Sequence, residues 1–514
     1  MASRLASFSF VLLLACGPTA PPTDGGVGDA SAIDGFVPID AGRIDGPIMG
    51  TASYEDLVPT TSGLARTGPS APIRRARVRV VSASGAMLGE SVTDESGAFR
   101  IDIGSVDARG ASVEVLATLH TAVLEAYVTD NAETLHVLTV PLTSARTDPF
   151  ASAAAESGRI AGPFNVLDRL ARLEDFIRRD APSGTVLPRV VVHWEVGSTD
   201  GTNASHDHDT AFGRGCLVRL LGKVADDDDA FDDTVISHEL GHCIAQAFGS
   251  DPTAPWANGH DANHPFDPGT AVSEGLATFF GQRMSETALY VDTRGVADGF
   301  GYDIDEPAAS GRQLGLYGEA AVAGALWDLL DGGAGDDDPF ALTPAQFWTV
   351  FTEDFRDGQF KSVETLLDGF VARGLVTDAE LDTAFAGPLG LNRPAHPSFP
   401  LGMLQVGLAV TGDVDATLGY MMEPRGRAEA LDLWGIEISS PTTVHIALTN
   451  IGGRNDLDLY LQTSERFPVV RSDTTGLGDE AIDATLDPGR YVVAVRAFQG
   501  PDAAASYSLV LTTP

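Results

Sequence analysis

Asp232-Asp233-Thr234-Val235-Ile236-Ser237-His238-Glu239-Leu240-Gly241-His242-Cys243-Ile244-Ala245-Gln246-Ala247-Phe248-Gly249 is the stretch on which the reading of this 514-residue chain turns. Val235, Ile236, Leu240, Ile244 and Phe248 recur along one apolar stripe. Asp232, Asp233 and Thr234 supply capping oxygens, and Gly249 can close the C-terminus, so the pattern predicts a helix. At about 3.6 residues per turn, His238 and His242 share one face and can hold one metal ion, for which zinc is the fitting element. Glu239 is rotated off the ligand axis, where a carboxylate can act as general base on a water that the ion polarises.

A zinc ion that keeps one position for water takes three protein ligands, so a third donor is required. Ala271-Val272-Ser273-Glu274-Gly275-Leu276-Ala277-Thr278-Phe279-Phe280 predicts a second buried helix in which Val272, Leu276, Phe279 and Phe280 form the apolar face, with Glu274 directed inward among them. His260 and His264 are rival donors, but they lie in a Pro-, Asn- and Asp-rich insert, Gly249 to Gly269, that reads as a loop. The two segments together resemble the gluzincins, the thermolysin-like clan that includes the zinc aminopeptidases, in which a second helix delivers the glutamate ligand from an E-G-x-A type segment. Thirty-one residues separate His242 from Glu274, a gap longer than the commonest one in that clan. The third histidine expected of a metzincin is absent, Gly249 and Ser250 standing in its place. The resemblance implies a metal set of His238, His242 and Glu274 with Glu239 as catalytic base. The segment from Leu316 to Leu330 reads as a third helix, and it is similar to the Y-x-x-G-A helix of gluzincin aminopeptidases, which implies that Tyr317 stabilises the oxyanion. A buried structural tyrosine is the alternative for that position.

At the N-terminus, Arg4, the apolar run Phe8 to Leu14 and Ala15-Cys16-Gly17 have the layout of an export signal and resemble a bacterial lipoprotein signal, with Cys16 as the lipidated residue. Residues 17–70, rich in Gly, Pro, Thr and Asp with scattered single hydrophobes, are expected to form a disordered tether. Alternating runs such as Arg77-Val78-Arg79-Val80-Val81 follow, and Thr93-Asp94-Glu95-Ser96-Gly97-Ala98-Phe99 is similar to a turn of carboxypeptidase regulatory-like domains, which implies a β-sandwich over residues 71–145.

Residues 150–395 are expected to be the catalytic domain. They include an amphipathic helix from Pro163 to Arg179, a strand from Arg189 to Trp194, a polar loop from Gly197 to Gly215 with His206, Asp207, His208 and Asp209 in it, and an acidic run from Asp226 to Asp229 that reads as solvated. A helical subdomain from Asp336 to Leu391 completes it. Cys216 and Cys243 are the two thiols left beside Cys16, and in an oxidising compartment they can form a bridge. A thiolate metal ligand is the competing role, though Cys243, at i+5 from His238, points off the ligand face.

Beyond Pro394 the pattern becomes that of strands, giving an all-β module over 396–514. Asp456-Leu457-Asp458-Leu459-Tyr460-Leu461 and Pro488-Gly489-Arg490-Tyr491 resemble the bacterial pre-peptidase C-terminal domain, a jelly-roll-like appendage of secreted proteases that implies Ca2+ or an extracellular polymer as further ligands. The expected architecture is thus multidomain: an α+β gluzincin-like catalytic domain flanked by an N-terminal β-sandwich and a C-terminal jelly-roll-like β-sandwich. Thirty-three basic against 72 acidic residues give a net charge of −39, a field that repels nucleic acid and anionic membranes, so membrane association would run only through the lipid anchor. The expected function is a zinc (Zn2+) metalloendopeptidase of the bacterial cell envelope or the extracellular space, acting on protein or peptide substrates. The absence of a G-x-M-E-N-like segment argues against an aminopeptidase. A catalytically inactive cell-surface adhesion or polymer-binding protein, a zinc aminopeptidase and another zinc amide or ester hydrolase are the alternatives.

Overall fold

The computed structural model describes residues 43–66, 70–107, 109–142, 160–199, 201–223, 227–252, 262–263, 267–295, 297–332, 338–391, 400–418, 431–465, 468–473 and 476–514. Cys16, His260 and His264 lie outside these residues, as do the side chains of His206 and Asp207.

A five-stranded sheet, in the order Thr118–His120, Glu125–Thr129, Val190–His193, Gly213–Arg219, Asn203–Thr210, backs the helices that carry the predicted site. Its three middle strands run parallel, and the two edges are antiparallel. Every residue of Val190–His193 is buried, as the apolar run predicts for a parallel strand covered on both faces. Helix α1 (Gly162–Asp180) packs against Glu125–Thr129, and α2 (Asp233–Phe248) lies along Asn203–Thr210. Next come α3 (Pro268–Ser285), a hairpin of Leu289–Thr293 with Gly299–Asp303, and α4 (Glu319–Asp331). Helices α5 (Pro344–Thr349), α6 (Val363–Ala372) and α7 (Asp378–Phe385) form the helical subdomain, with a π-helical turn at Val350–Phe355.

Helices α2, α3 and α4 approach closely because glycine stands at the crossings. A Cβ on Gly241 would lie 2.3 Å from the Ala277 carbonyl oxygen, and one on Gly275 would lie 2.5 Å from the Val322 side chain. These glycines allow ligands on different helices to meet within one metal's reach.

Three expectations change. Within the expected tether of 17–70, the described residues from Arg43 on are ordered: Arg43–Thr51 pairs antiparallel with Ala98–Asp107, and Ile48, Ala52 and Tyr54 are fully buried. Single hydrophobes in a polar stretch look too sparse to order a chain, but here they dock on a partner about fifty residues away, which local composition does not register. The 71–145 module does not stand alone either: Thr118–His120 and Glu125–Thr129 belong to the five-stranded sheet behind the predicted site, and one hydrophobic core runs from Ile48 to Leu391. The rest of the module is a four-stranded antiparallel sheet (Val137–Pro141, Ser112–Leu116, Arg77–Val81, Met87–Val92) and the strand Ala98–Asp107 paired with Arg43–Thr51. Salt bridges join this region to α1, with Arg74 on Asp168 at 2.7 Å and Arg75 on Asp175 at 2.7 Å. Within the expected loop of 197–215, Asn203–Thr210 is an edge strand, its polar residues suiting a position open to solvent on one side.

The C-terminal module is a β-sandwich with a core of its own. One sheet is ordered Ala409–Val414, Ala505–Thr512, Thr442–Asn450, Glu480–Leu486, and the other Leu431–Ile438, Gly489–Gln499, Asp456–Thr463, Pro468–Ser472, all pairs antiparallel. Val444, Ile446, Leu459, Leu461, Ile482, Val493, Val495 and Leu509 fill the space between them. No described helix is long and apolar enough to cross a membrane.

Candidate metal centre

His238 and His242 lie on α2, Glu274 on α3, and all three are buried. The Nε2 atoms of both histidines lie 3.2 Å from the same oxygen, Oε2 of Glu274. Three donor atoms, one from each residue, lie within 4.8 Å of one another, with the imidazole planes at 85°. Two imidazole nitrogens and a carboxylate are the donor set of a zinc site with a position left for water or substrate.

The other ring nitrogens are engaged. His242 Nδ1 lies 3.1 Å from Asp251 Oδ1, and since a carboxylate only accepts, Nδ1 carries the proton and Nε2 faces Glu274 as the ligand atom. His238 Nδ1 lies 2.9 Å from the Thr278 hydroxyl, which is bonded in turn to Tyr302. Ser273 donates its hydroxyl to Asp251. Burial alone would push the His242 imidazole down, yet the carboxylates of Asp251 and Glu274 override it and hold it well above its ordinary value. Two buried carboxylates facing two imidazoles make a place that demands positive charge, and a divalent cation fits it.

Glu239, the next residue along α2 from His238, is also buried. The Tyr290 ring, from the hairpin, lies 6.3 Å from that of His238 in an edge-on arrangement. Burial raises its phenol well above the ordinary value, and the negative charges of Asp292, Glu319 and Glu239 raise it further, so it stays a hydrogen-bond donor. Tyr302, 5.2 Å from Tyr290 ring to ring, is raised for the same reasons, burial first and then Glu319.

Tyr317 is half-buried in a turn, outside the predicted helix: α4 starts at Glu319 behind an extended Gly318. A Cβ on Gly318 would meet the Gln313 carbonyl at 2.2 Å, so the chain folds back there before the helix can begin.

Cys216 and Cys243 form a disulfide with a Cα separation of 5.8 Å, fastening the sheet strand Gly213–Arg219 to α2 one residue beyond His242. At the other end of α2, the Asp232 carboxylate accepts from the backbone N–H of Thr293 at 3.0 Å and from its hydroxyl at 2.7 Å, instead of capping the helix. Asp228 and Asp229 are buried, contrary to the solvated reading of 226–229. Asp228 accepts from Trp194 Nε1 at 3.0 Å, and Asp229 accepts from the Leu221 backbone N–H and the Thr202 hydroxyl. Burial pushes the Asp229 carboxyl up to about 8 and that of Asp292 up to about 6. Asp227, Asp232 and Asp292 also bring one oxygen each within 4.8 Å of one another.

Sequence reasoning missed Asp251, Thr278, Tyr290 and Tyr302. Thr278 was readable, since it sits four residues after Glu274 on the same helical face. Nothing in the sequence pairs Asp251 or the hairpin tyrosines with the histidines.

Compared with known proteins, residues 430–497 match the family model of the bacterial pre-peptidase C-terminal domain, and both motifs quoted for that resemblance lie on or within this span. No curated protein matches the chain in sequence. Among solved structures, the pre-peptidase C-terminal domain of a collagenase from Bacillus anthracis is 13% identical over 22% of this chain and 93% of its own, with a TM-score of 0.17. The surface-associated copper-binding protein CorA of Methylomicrobium album BG8 is 14% identical over 22% of this chain and 98% of its own, at a TM-score of 0.17. The periplasmic lysozyme inhibitor PliG of Aeromonas hydrophila is 10% identical over 21% of this chain and 94% of its own, at a TM-score of 0.15.

Proposed function

We propose that the chain is an exported zinc-dependent metalloendopeptidase. The observation that carries this reading is the convergence of His238 Nε2 and His242 Nε2 on Glu274 Oε2, at 3.2 Å each, with the remaining ring nitrogens pinned by Thr278 and Asp251. When bound, zinc supplies Lewis acidity toward water and the scissile carbonyl. Glu239 takes the proton from the attacking water at a carboxylate oxygen and returns it to the nitrogen of the departing amine. Tyr290, held protonated by burial and by the acidic groups around it, donates its hydroxyl to the carbonyl oxygen as negative charge develops there. Between Tyr290 and Tyr317 we assign this role to Tyr290, on the edge-on packing of its ring with His238.

The pre-peptidase match at 430–497 and the Cys216–Cys243 bridge both support export to an oxidising compartment. Lipid attachment at Cys16 belongs to the same proposal and is tested by a Cys16→Ala variant released from the membrane fraction. The decisive experiment is metal analysis with peptide-cleavage profiling of the unmodified chain beside Glu239→Gln. Chelator-sensitive cleavage with one zinc per chain supports the reading; a chain that holds zinc but cleaves no peptide overturns it.

A further inference from the structure

Glu465 of the C-terminal sandwich reaches a residue next to one of those around the candidate metal centre. Glu465 sits in the turn between strands Asp456–Thr463 and Pro468–Ser472, and its carboxylate reaches two groups of the catalytic region. One is Lys361, whose Nζ lies 3.3 Å away and whose side chain is 0% exposed. The same ammonium donates to the Phe355 carbonyl at 2.7 Å and the Arg356 carbonyl at 2.5 Å, at the end of the π-helical turn. A fully buried ammonium requires an anion, so this ion pair fixes where Glu465 must be. The other group is the hydroxyl of Ser250, buried, which donates to Glu465. The next residue, Asp251, is the carboxylate that orients His242.

The docking has further supports. Phe360 forms a small apolar cluster with Leu431, Leu433, Tyr460, Val492 and Ala494 of the sandwich. Gln359 Nε2 donates to the carbonyls of Ile436 at 3.3 Å and Tyr491 at 3.2 Å. Phe360 and Lys361 are neighbours in the chain, so the apolar contact and the ion pair act on one short segment.

We infer that Glu465 is a positioning residue for the metal centre: through Ser250 it holds Asp251 against His242, so that the docked C-terminal module raises metal affinity. This rests on the metal-site reading above. A hydrogen-bonded residue behind a metal ligand fixes the ring's tautomer and orientation, and its removal commonly weakens metal binding by about ten- to a hundredfold. Glu465 stands one step further out, so an effect near the lower figure is expected. The module thereby becomes part of the site's support, and release of the module would loosen the ion.

Three variants of the full chain test this: Ser250→Ala, which leaves the Lys361–Glu465 pair in place; Glu465→Gln, which keeps the side chain's volume; and Asp251→Asn as the reference. Zinc affinity is measured by competition with a chromophoric chelator, the visible spectrum of the cobalt-loaded protein reports ligand geometry, and melting of the metal-free protein reports the fold. The expected result is a zinc affinity about tenfold weaker in Ser250→Ala and in Glu465→Gln, no further loss when the two are combined, an altered cobalt spectrum, and an unchanged metal-free melting temperature for Ser250→Ala. If Asp251→Asn weakens zinc while both other variants bind as the unmodified chain does, or if all three bind alike, the inference falls and the metal site stands. If the unmodified chain takes up no zinc, the metal-site reading falls and takes the inference with it.

Discussion

Helix α2 carries a group of close-set ligand atoms on its body and another at its N-terminal end, and they handle charge in opposite ways. His238, His242 and Glu274 mix imidazole with carboxylate, and each imidazole has its second nitrogen pinned. Asp227, Asp232 and Asp292 are carboxylates throughout, equally close together. In this second group burial lifts the carboxyls, Asp292 to about 6 and Asp232 well above its ordinary range, so protons can neutralise it. In the first group the carboxylates stay paired with imidazoles, and what the arrangement asks for is a cation. Proximity of donors is common to both; the oriented second nitrogen is the feature that only the first group has, and it is the one that suits a ring to binding a metal.

The largest effect expected bears on the first group. Glu239→Gln should keep one zinc per chain yet lose about 10³-fold in turnover, measured as cleavage of a fluorogenic peptide beside metal analysis. Loss of zinc together with activity would show that Glu239 supports the ligands instead of the chemistry. Next comes the bridge that braces α2. Its two cysteines are 27 residues apart in sequence, and replacing both by serine should cost about 3 kcal/mol in a denaturant titration. Activity in the folded fraction should change little, because the histidine partners stay in place.

Smaller again is Tyr290→Phe, for which kcat should fall about tenfold at nearly constant KM, while Tyr317→Phe should leave kcat within about twofold. Equal losses would return the oxyanion role to the turn before α4. The smallest effect sharpens the acidic end of α2. The Asp229 carboxyl is raised to about 8 by burial, above its unfolded value, so the stability it contributes is complete below the unfolded pKa and is lost as pH rises toward 8. Between pH 5 and 8, Asp229→Asn should remove on the order of 1 kcal/mol of this decline per pH unit, read as a shallower drop in melting temperature. An unchanged slope would mean that Asp229 is ionised in the folded protein.

What was legible in the sequence follows from how far apart the cooperating residues stand. The i, i+4 histidines and the inward Glu274 could be read because helical periodicity is a local property, and the all-β character of the chain beyond Pro394 is legible for the same reason, in strands such as Leu431–Ile438, Thr442–Asn450 and Asp456–Thr463. Which of these strands share a sheet, as Ala409–Val414 and Glu480–Leu486 do while Pro468–Ser472 belongs to the other, is decided by partner strands and is not written in any one segment. The extent of the N-terminal region was misjudged because alternation identifies a strand without naming its sheet. Glu125–Thr129 alternates as Arg77–Val81 does, yet one pairs with Val190–His193 and the other with Ser112–Leu116. Asp251 and Tyr290 belong to the site only through tertiary contact, and a loop acid or a hairpin tyrosine carries no periodic signal.

The seamless core from Ile48 to Leu391 has a practical consequence for anyone cutting this chain into pieces. A fragment beginning near residue 150 would contain every proposed ligand but would strip Glu125–Thr129 from the side of Val190–His193, baring an apolar strand edge and one face of α1. Such a fragment should aggregate on expression, whereas one starting near residue 43 should stay soluble, and the smallest unit able to fold around the proposed ligands is therefore larger than their span in the sequence suggests.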